Sequence, residues 1–557
     1  MPEVIRNENR GEFYTPKHIS ELLHKMAGRY LGEDFKEKYI IWDNCWGTGN
    51  LTRNYEFNNL FCSTIQRMDI RKNKNRNREA KKFQYDFLNN DVEQLISEQA
   101  MWMGEQNLPE ELDNILRNKD GGPILFYINP PYVATGIYGT STDVREGQSD
   151  SRVREVMREH KMQSACDQVY AQFLYKINLM REAYDNKDIS IAVICPPLFL
   201  TTQPYRNFRD RFLNNFKFNG GALFKASEFE GLSDRWGITI QVYTPGETVD
   251  KKNFKFDTYE LKDGIMACTG EKVIYNLDNE KTCMDWAREE LNSDCNVLAD
   301  NTLSSGCEIS NKKNVFWQDN SLGYMFYRGN NIYHNEQELG IMTLPYGDGS
   351  GYSLLDENFD KSMAIFCARR CFSRYGSNWI NDKDEYCVPD TNSDAYKILL
   401  ANSMIYTLFN GSMHASSLFI NRDGNNFEVV NNFHHITLEE TIDIFRKYDF
   451  EVSGPGDLKD RYMVDKIRWA LSTGLIYKEG LQLLDIFRVL WEKGIKYRRE
   501  FDKRYPKYQV CNWDCGFYQL KWLIKDVDIN DFREFQLLYR SFEDRVRLLV
   551  HECGFLK

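Results

Sequence analysis

Five short apolar runs, separated by segments long enough for helices, dominate residues 39 to 247 of the chain. They are YIIWDNCWGTGNL, FCSTIQRMDI, GGPILFYINPPY, DISIAVICPPLFL and WGITIQVYTPGE. The segment QVYAQFLYKINLMREAY, between the third and fourth runs, has a helical pattern. Strands that alternate with helices form parallel sheets covered on both faces. The sequence therefore predicts an α/β fold with a doubly wound, mostly parallel sheet.

The alternation of strands and helices fades beyond about residue 250. Short strand patterns and turns rich in Asn and Gly follow, and helical patterns rich in Trp, Tyr and Leu begin after Leu458. A chain of 557 residues is too long for a single core. We predict a first domain over residues 1–270 and a second, mixed α+β domain over 271–557, with a helical subdomain from about 458.

Cysteine usage and hydropathy indicate the compartment. The fourteen cysteines show no secretory spacing, and the N-terminal MPEVIRNENRGEF is too polar for a signal peptide. No window approaches the roughly 18 uninterrupted apolar residues that a membrane span requires. We therefore expect a cytoplasmic protein without a membrane partner.

The charge distribution bears on nucleic-acid binding. A net charge of −11 argues against a chain that binds nucleic acid over most of its surface, because phosphate binding needs concentrated Lys and Arg. Three basic runs interrupt this acidic background, at residues 70–85, 151–161 and 493–509. Two of these runs also contain Tyr or Phe, so the sequence favours a local surface that follows a phosphate backbone.

The first apolar run ends in a glycine turn. Asp43 closes the strand, and Gly47 and Gly49 let the backbone pass close to a ligand, as nucleoside sites at strand ends require. Asp69 follows Gly49 at the spacing of a carboxylate that accepts the ribose hydroxyls, and Asp86 ends a further strand where it could reach an adenine amino group. Thr52 and Arg53 replace the third glycine of the dinucleotide fingerprint, which disfavours an NAD enzyme.

The third apolar run ends in NPPY at residues 129–132. Together with GEFYTP at 11–16 and DNCWGTGNL at 43–51, it resembles the S-adenosylmethionine-dependent methyltransferases that act on N6 of adenine in DNA. DQVYAQFLYK at 167–176 and AVICPPLFL at 192–200 are similar to two further elements of that family. The resemblance covers roughly residues 8–245. It implies a Rossmann-like methyltransferase sheet, followed by a DNA target-recognition domain.

The resemblance also implies a set of cofactor contacts for S-adenosylmethionine. Tyr14, Thr15 and Pro16 would contact the methionine end, and Asp43, Gly47 and Gly49 would contact the amino acid and sulfur region. Asp69 and Ile70 would contact the ribose. Asp86 and Phe87 would contact the adenine.

NPPY suits chemistry on an exocyclic amine, whose lone pair is delocalised into the base. If the Asn129 side-chain oxygen and the Pro130 carbonyl both accept hydrogen bonds from the amine, that lone pair turns toward the methyl donor. Pro130 and Pro131 hold the acceptors because proline fixes φ. Tyr132 offers a face for a base extruded from the duplex. Phe229 is the candidate for a second stacking ring, with Trp236 as the alternative.

A long polar segment, residues 133–161, follows NPPY. A loop of this length is usually functional or disordered, and we expect Arg152, Arg154 and Arg158 to contact DNA phosphates. The alternative for these arginines is a solvated surface helix. Two C-x-x-x-C pairs, Cys367 with Cys371 and Cys511 with Cys515, lack histidines at ligand spacing, so no metal is expected.

The sequence leaves several functions open. The enzyme acts alone, or it is the modification half of a restriction-modification or defence system with a cognate partner protein. One alternative is a DNA-binding modification subunit that depends on partner proteins for specificity. Another is a methyltransferase that acts on RNA or on protein glutamine, since NPPY also occurs in those enzymes.

Overall fold

The computed structural model describes residues 14–96, 107–117, 121–132, 151–312, 314–332, 338–372, 379–422, 425–450, 452 and 459–557. These residues divide into two compact units. The first unit contains residues 14–279 and 379–384, and the second contains 280–372 and 385–557.

The first unit contains nine strands and nine helices among its described residues. The strands are β1 Ile40–Asp43, β2 Asn59–Thr64, β3 Lys81–Gln84, β4 Ile124–Ile128, β5 Ile189–Cys195, β6 Phe216–Lys225, β7 Gly237–Pro245, β8 Asn253–Lys262 and β9 Ile265–Tyr275. The helices are α1 Lys17–Leu31, α2 Phe35–Lys38, α3 Arg67–Lys72, α4 Val92–Ile96, α5 Glu110–Leu116, α6 Arg152–Glu159, α7 Val169–Ala183, α8 Leu198–Thr201 and α9 Arg206–Asn215.

All nine strands belong to one sheet, in the order β3-β2-β1-β4-β5-β7-β6-β8-β9. The first five strands are mutually parallel, and β7 runs antiparallel to both of its neighbours, β5 and β6. β8 pairs parallel with β6, and β9 closes the sheet as an antiparallel hairpin partner of β8. The predicted α/β class with a doubly wound, mostly parallel sheet is confirmed, and the five predicted runs are β1, β2, β4, β5 and β7.

Both faces of the sheet are covered. In β1, Ile40 and Trp42 belong to one core cluster, whereas Ile41 belongs to the other, as the two-residue period of a strand requires. Residues of α1 fill the cluster around Ile41, and residues of α5, α7 and α9 fill the cluster around Trp42. All residues of β4 and β5 are buried. Burial on both faces explains why these strands read as continuous apolar runs.

The second unit combines small sheets with long helices. Its strands are β10 Asn296–Leu298, β11 Leu303–Ser305, β12 Glu308–Ile309, β13 Phe316–Gln318, β14 Gly323–Tyr327, β15 Leu339–Met342, β16 Tyr352–Leu354, β17 Leu418–Arg422 and β18 Asn425–Val429. Its helices are α10 Cys283–Arg288, α11 Asp356–Arg370, α12 Asp394–Phe409, α13 Leu438–Lys447, α14 Tyr462–Ser472, α15 Lys478–Ile495, α16 Arg498–Arg504, α17 Phe517–Val527 and α18 Ile529–Glu552. The strands form sheets of two or three.

Two features are absent from the described residues. No helix in them combines the length and the apolar character needed to cross a bilayer. Within the same residues, no three His, Cys, Asp or Glu side chains are grouped so that they could hold a metal ion.

Candidate active site

The loops after β1 and β4 lie at the point where the strand order reverses. The chain runs from β1 outward through β2 and β3, and then returns to β4 on the other side of β1. In open α/β sheets, ligands bind outside the carboxyl ends of the strands at such a switch point. The glycine turn follows β1 and NPPY follows β4, so the topology brings the two motifs to the same edge of the sheet.

The glycine turn after β1 has a conformation that glycine favours. Gly47 has φ +48° and Gly49 has φ +72°, both in the left-handed region. A Cβ atom at Gly49 would lie 2.8 Å from the indole ring of Trp46. The Trp46 backbone N–H donates to the Ser63 carbonyl at 2.9 Å, and the Arg76 guanidinium donates to the Thr48 carbonyl. Close packing and these two anchors fix the path of the turn.

Polar groups without partners lie buried at the end of β1. Asp43 is 1% exposed, and neither of its carboxylate oxygens completes a hydrogen bond within the described structure. Burial raises the pKa of Asp43 to about 8, and the nearby Cys45 N–H offsets only part of that rise. The amide of Asn44, 2% exposed, also lacks a hydrogen-bond partner among the described residues. Buried polar groups are normally satisfied, so this cluster is suited to receive a polar ligand.

NPPY is held from both sides by hydrogen bonds. The Asn129 amide nitrogen donates to the Thr15 hydroxyl at 2.8 Å, and the Tyr132 hydroxyl donates to the Asn129 side-chain oxygen. The Asn129 backbone N–H also faces the thiol of Cys45 in the glycine turn. The side chain of Asn129 therefore has a defined orientation beside the turn.

The ring of Tyr132 meets Phe229 edge to face. The two ring centroids are 5.9 Å apart, with an interplanar angle of 83°, and Phe229 is fully buried. Burial holds the pKa of Tyr132 well above its ordinary value, so the hydroxyl stays protonated and donates. Trp236, the alternative stacking residue, is half-buried against the same core cluster.

The segment before α1 completes this edge of the sheet. Thr15 is 6% exposed, Pro16 is the residue that precedes the helix, and Tyr14 is 40% exposed. The Ser20 hydroxyl of α1 donates to the Leu51 carbonyl at 2.8 Å, which ties the helix to the end of the glycine turn. Residues 11–13 of GEFYTP lie outside the described residues.

The residues predicted to bind the ribose and the adenine lie in the segments that follow β2 and β3. Asp69 lies in α3, and its carboxylate reaches back to accept from the hydroxyl of Thr64, the last residue of β2, at 3.1 Å. The partial burial of Asp69 raises its pKa. Ile70 is half-buried against the core cluster that contains Ile41.

Asp86 has local partners in the turn after β3. Its carboxylate accepts from the Leu88 N–H at 3.1 Å and from the Asn89 side chain at 2.8 Å. Phe87 is 3% exposed and stacks on Phe173 of α7, with centroids 5.0 Å apart. In this structure Asp86 therefore orders its own turn, and Phe87 belongs to the core.

Lys176, a fully buried lysine of α7, is not among the residues predicted for the site. Its ammonium donates to the Asn90 carbonyl at 2.5 Å and to the Tyr85 hydroxyl at 3.1 Å. Burial lowers the pKa of Lys176 to about 7. Lys176 thus braces the turn that carries Asp86 and Phe87. The available signal was a lysine among the apolar residues of a predicted helix.

The three arginines expected to contact DNA lie on α6, which Ser151 caps through the Arg154 N–H. Arg152 pairs with Glu93, Glu155 and Glu159. Arg154 is 9% exposed and pairs with Asp167 at 2.6 Å. Arg158 is exposed. The guanidinium groups of Arg152 and Arg154 thus already have carboxylate partners in the first unit. Residues 133–150 of the segment lie outside the described part of the chain.

No family model matches the chain, and no curated protein matches it. The chain is similar to the type I restriction-modification methyltransferase subunit from Streptococcus thermophilus, with 15% identity, 46% of this chain and 50% of that chain covered, and a TM-score of 0.30.

The chain is also similar to two further solved structures, the type IIG restriction endonuclease BpuSI and a DrdV–DNA complex. The first has 15% identity, covers 53% of this chain and 37% of that chain, and has a TM-score of 0.31. The second has 14% identity, covers 45% of this chain and 28% of that chain, and has a TM-score of 0.32. The matches span half or less of each of these three chains. Likenesses at these scores carry no argument about function.

Proposed function

We propose that the first unit is an S-adenosylmethionine-dependent methyltransferase that acts on N6 of adenine in DNA. One observation carries this proposal: Asn129 of NPPY is oriented by Thr15 and Tyr132 beside the glycine turn, at the switch point of the sheet. An amide acceptor next to a nucleoside-type turn is what chemistry on an exocyclic amine needs.

The residues at the end of β1 fit the cofactor. Asp43 and Asn44 have buried polar atoms without partners among the described residues, and Gly47 and Gly49 keep the backbone of the turn open to a close approach. A cationic amino group would convert Asp43 to its charged form, because an opposite charge favours ionisation. When bound, S-adenosylmethionine supplies the methyl group.

The remaining proposed contacts of the cofactor lie before α1 and in the segments after β2 and β3. Tyr14, Thr15 and Pro16 are the proposed contacts of the methionine end, and Asp69 with Ile70 is the proposed ribose site. Asp86 and Phe87 are proposed for the adenine, and Lys176 supports their turn through Asn90. The local hydrogen bonds of Asp86 leave its carboxylate in a defined position.

The acceptor amine would be bound by the Asn129 side-chain oxygen and the Pro130 carbonyl. Asn129 keeps its orientation because its amide nitrogen donates to Thr15. A side-chain carbonyl oxygen has two lone pairs, so it can accept from the amine while it accepts from Tyr132. Pro130 and Pro131 fix the backbone at these acceptors. The protonated product amine is acidic and can lose its proton to solvent.

Tyr132 is the proposed stacking partner of the extruded base. Phe229, the proposed second ring, meets Tyr132 edge to face and is buried. In this arrangement Phe229 fixes the ring of Tyr132. The Phe229 ring would have to rotate in order to stack its own face on the base.

Double-stranded DNA is the proposed substrate, and the second unit is its proposed recognition domain. A cognate restriction or defence protein is a further proposed partner. Gel filtration of the pure chain, combined with a methylation assay, separates an enzyme that acts alone from a subunit that needs a partner.

The experiment that tests the proposed function is methyl transfer from labelled S-adenosylmethionine to three acceptors. Duplex DNA, RNA of the same sequence and a mixture of proteins are offered separately to the full chain. We expect label in DNA alone. Label in RNA or protein, with none in DNA, contradicts the proposal.

A further inference from the structure

The second unit contains a pocket of about 370 Å³. Its walls come from α17 and α18, from the end of α11 at Arg370 and from the end of α12 near Asn410. This volume falls in the range of sites for small organic ligands, which is about 300–1,000 Å³. A double helix is far too wide to enter it, so the occupant is a small molecule or a single unit of a larger one.

The charge of the pocket is opposite to that of the chain. Four cationic side chains line it, Arg370, Lys521, Lys525 and Arg540, against a single carboxylate, Glu543. The whole chain carries a net charge of −11. Within the described residues, none of Lys521, Lys525 and Arg540 forms an ion pair with a carboxylate. Lys521, Lys525 and Arg540, grouped at one pocket, therefore favour an anion.

Aromatic rings form much of the remaining wall. Phe409, Phe517 and Phe535 pack against one another with centroids 5.2–5.9 Å apart. Tyr539 and Trp522 also line the pocket, and Trp522 is 39% exposed. Aromatic faces bind planar bases by stacking, at roughly 1–3 kcal/mol per base. The occupant therefore combines a planar aromatic group with negative charge.

Hydrogen bonds hold several of the lining residues in place. The Asn410 amide donates to the Tyr539 hydroxyl at 3.0 Å, and the Tyr406 hydroxyl donates to Glu543 at 2.8 Å. The Lys521 ammonium lies over the Tyr518 ring at 4.5 Å and 3.5 Å from the Gly411 carbonyl. Asn410, Tyr539, Glu543 and Lys521 therefore have defined positions before any ligand arrives, which lowers the entropic cost of binding.

We propose that this pocket binds a nucleotide, whose base stacks on the aromatic rings and whose phosphates pair with the lysine and arginine side chains. The same chemistry comes from two sources, a free nucleoside phosphate or one unit of a single-stranded nucleic acid. The inference does not rest on methyl transfer in the first unit.

The test is calorimetric titration of the full chain with ADP. Saturating S-adenosylhomocysteine is present so that ADP does not enter an adenosine site in the first unit. We expect saturable binding that is weakened about tenfold or more in the double variant Lys521→Ala/Arg540→Ala, on the scale of lost charge-assisted hydrogen bonds. The matched control is Arg533→Ala, which removes an exposed cation of α18 that does not line the pocket.

A second variant blocks the pocket without removing charge. Gly411 lines it, and a Cβ atom there would meet no heavy atom within 4 Å. Gly411→Leu is therefore expected to fold normally and to lose ADP binding. ADP affinity unchanged in both Gly411→Leu and the double variant overturns the proposal.

Three other ligands separate the contribution of the base from that of the phosphates, and a free nucleotide from a nucleic-acid strand. Adenosine lacks phosphate and pyrophosphate lacks the base, so both are expected to bind at least tenfold more weakly than ADP. Pyrophosphate binding as tightly as ADP overturns the proposal, because the rings then contribute nothing. An oligodeoxythymidine of twelve nucleotides that binds more tightly than ADP, and loses affinity in the same variants, identifies a nucleic-acid strand as the source.

Discussion

Asp43 is the residue whose chemistry follows most directly from its surroundings. Its carboxyl group is buried without a hydrogen-bond partner in the described structure, and its pKa is raised to about 8. At pH 7 the free protein therefore holds this proton. A cofactor with a cationic amino group favours the ionised form, so we predict that S-adenosylhomocysteine binding releases up to one proton at pH 7.

Calorimetry in buffers with different ionisation enthalpies measures that release. It should disappear well above pH 8, where Asp43 is already ionised, and in Asp43→Asn. The raised pKa also has a consequence for the free protein: the unfolded chain loses this proton at lower pH, so Asp43 destabilises the fold progressively as pH rises from about 4 to about 8. An enthalpy of S-adenosylhomocysteine binding at pH 7 that is the same in all buffers would contradict the proton release assigned to Asp43.

Thr15 acts through Asn129, as a positioning residue. Thr15→Val keeps the shape of the side chain and removes the acceptor for the Asn129 amide at 2.8 Å. Losing a hydrogen bond of about 1 kcal/mol should lower kcat by roughly fivefold, with S-adenosylhomocysteine affinity nearly unchanged. Thr15→Ser retains the hydroxyl and should restore kcat. Equal kcat in the Val and Ser variants would remove Thr15 from this role.

The sequence names the motif residues but not the contacts between them. Asn129, Thr15 and Asp43 stand out because each occurs in a recognisable local pattern. The bond from Asn129 to Thr15 joins residues 114 positions apart, and Lys176 meets Asn90 from 86 positions away. Such pairs depend on how helices and strand ends come together, which no local pattern encodes.

At the scale of elements, the glycine turn offers a matched pair of substitutions. Gly49 has φ +72° and no room for a Cβ atom, whereas at Gly47, with φ +48°, the nearest atom to an added Cβ is 3.9 Å away. Both alanine variants are strained, but only Gly49→Ala also collides with Trp46. We predict that Gly49→Ala weakens S-adenosylhomocysteine binding by at least tenfold more than Gly47→Ala. Equal losses, measured by calorimetry, would mean that the packing on Trp46 does not shape the site.

Helix α6 contains a buried arginine, Arg154, and an exposed arginine, Arg158, whose removal should have different effects. Arg154 is buried and paired with Asp167, so Arg154→Ala should cost about 1–2 kcal/mol in denaturant unfolding. Arg158 is exposed. If it contacts a DNA phosphate, Arg158→Ala should reduce the steepness of log affinity for DNA against log salt by about 1. A slope unchanged in Arg158→Ala excludes Arg158 from the DNA interface.

Strand prediction succeeded where both faces of a strand are buried. β4 and β5 are continuous apolar runs because helices cover the sheet on both sides. β8 and β9 were missed, since exposed polar residues interrupt their apolar ones at this edge of the sheet. β6 was missed because Asn219, Gly220 and Gly221 interrupt it at a break in its register with β7.

At the scale of the whole molecule, the chain consists of two compact units, the first of which holds both NPPY and the glycine turn. The sequence describes the second unit less well, because its core is built from helices that are far apart along the chain and from sheets of two or three short strands. No local motif points to its pocket, whose lining residues span positions 370 to 543.

Nucleoside analysis of duplex DNA tests directly whether the chain methylates N6 of adenine through Asn129. DNA is incubated with S-adenosylmethionine and either the wild-type chain or Asn129→Ala, then digested and analysed by mass spectrometry. We predict N6-methyladenine with the wild type. We expect its formation to be slowed roughly 100-fold or more in Asn129→Ala, with S-adenosylhomocysteine affinity preserved. Methylcytosine in place of N6-methyladenine, or equal rates for the two proteins, would contradict the account.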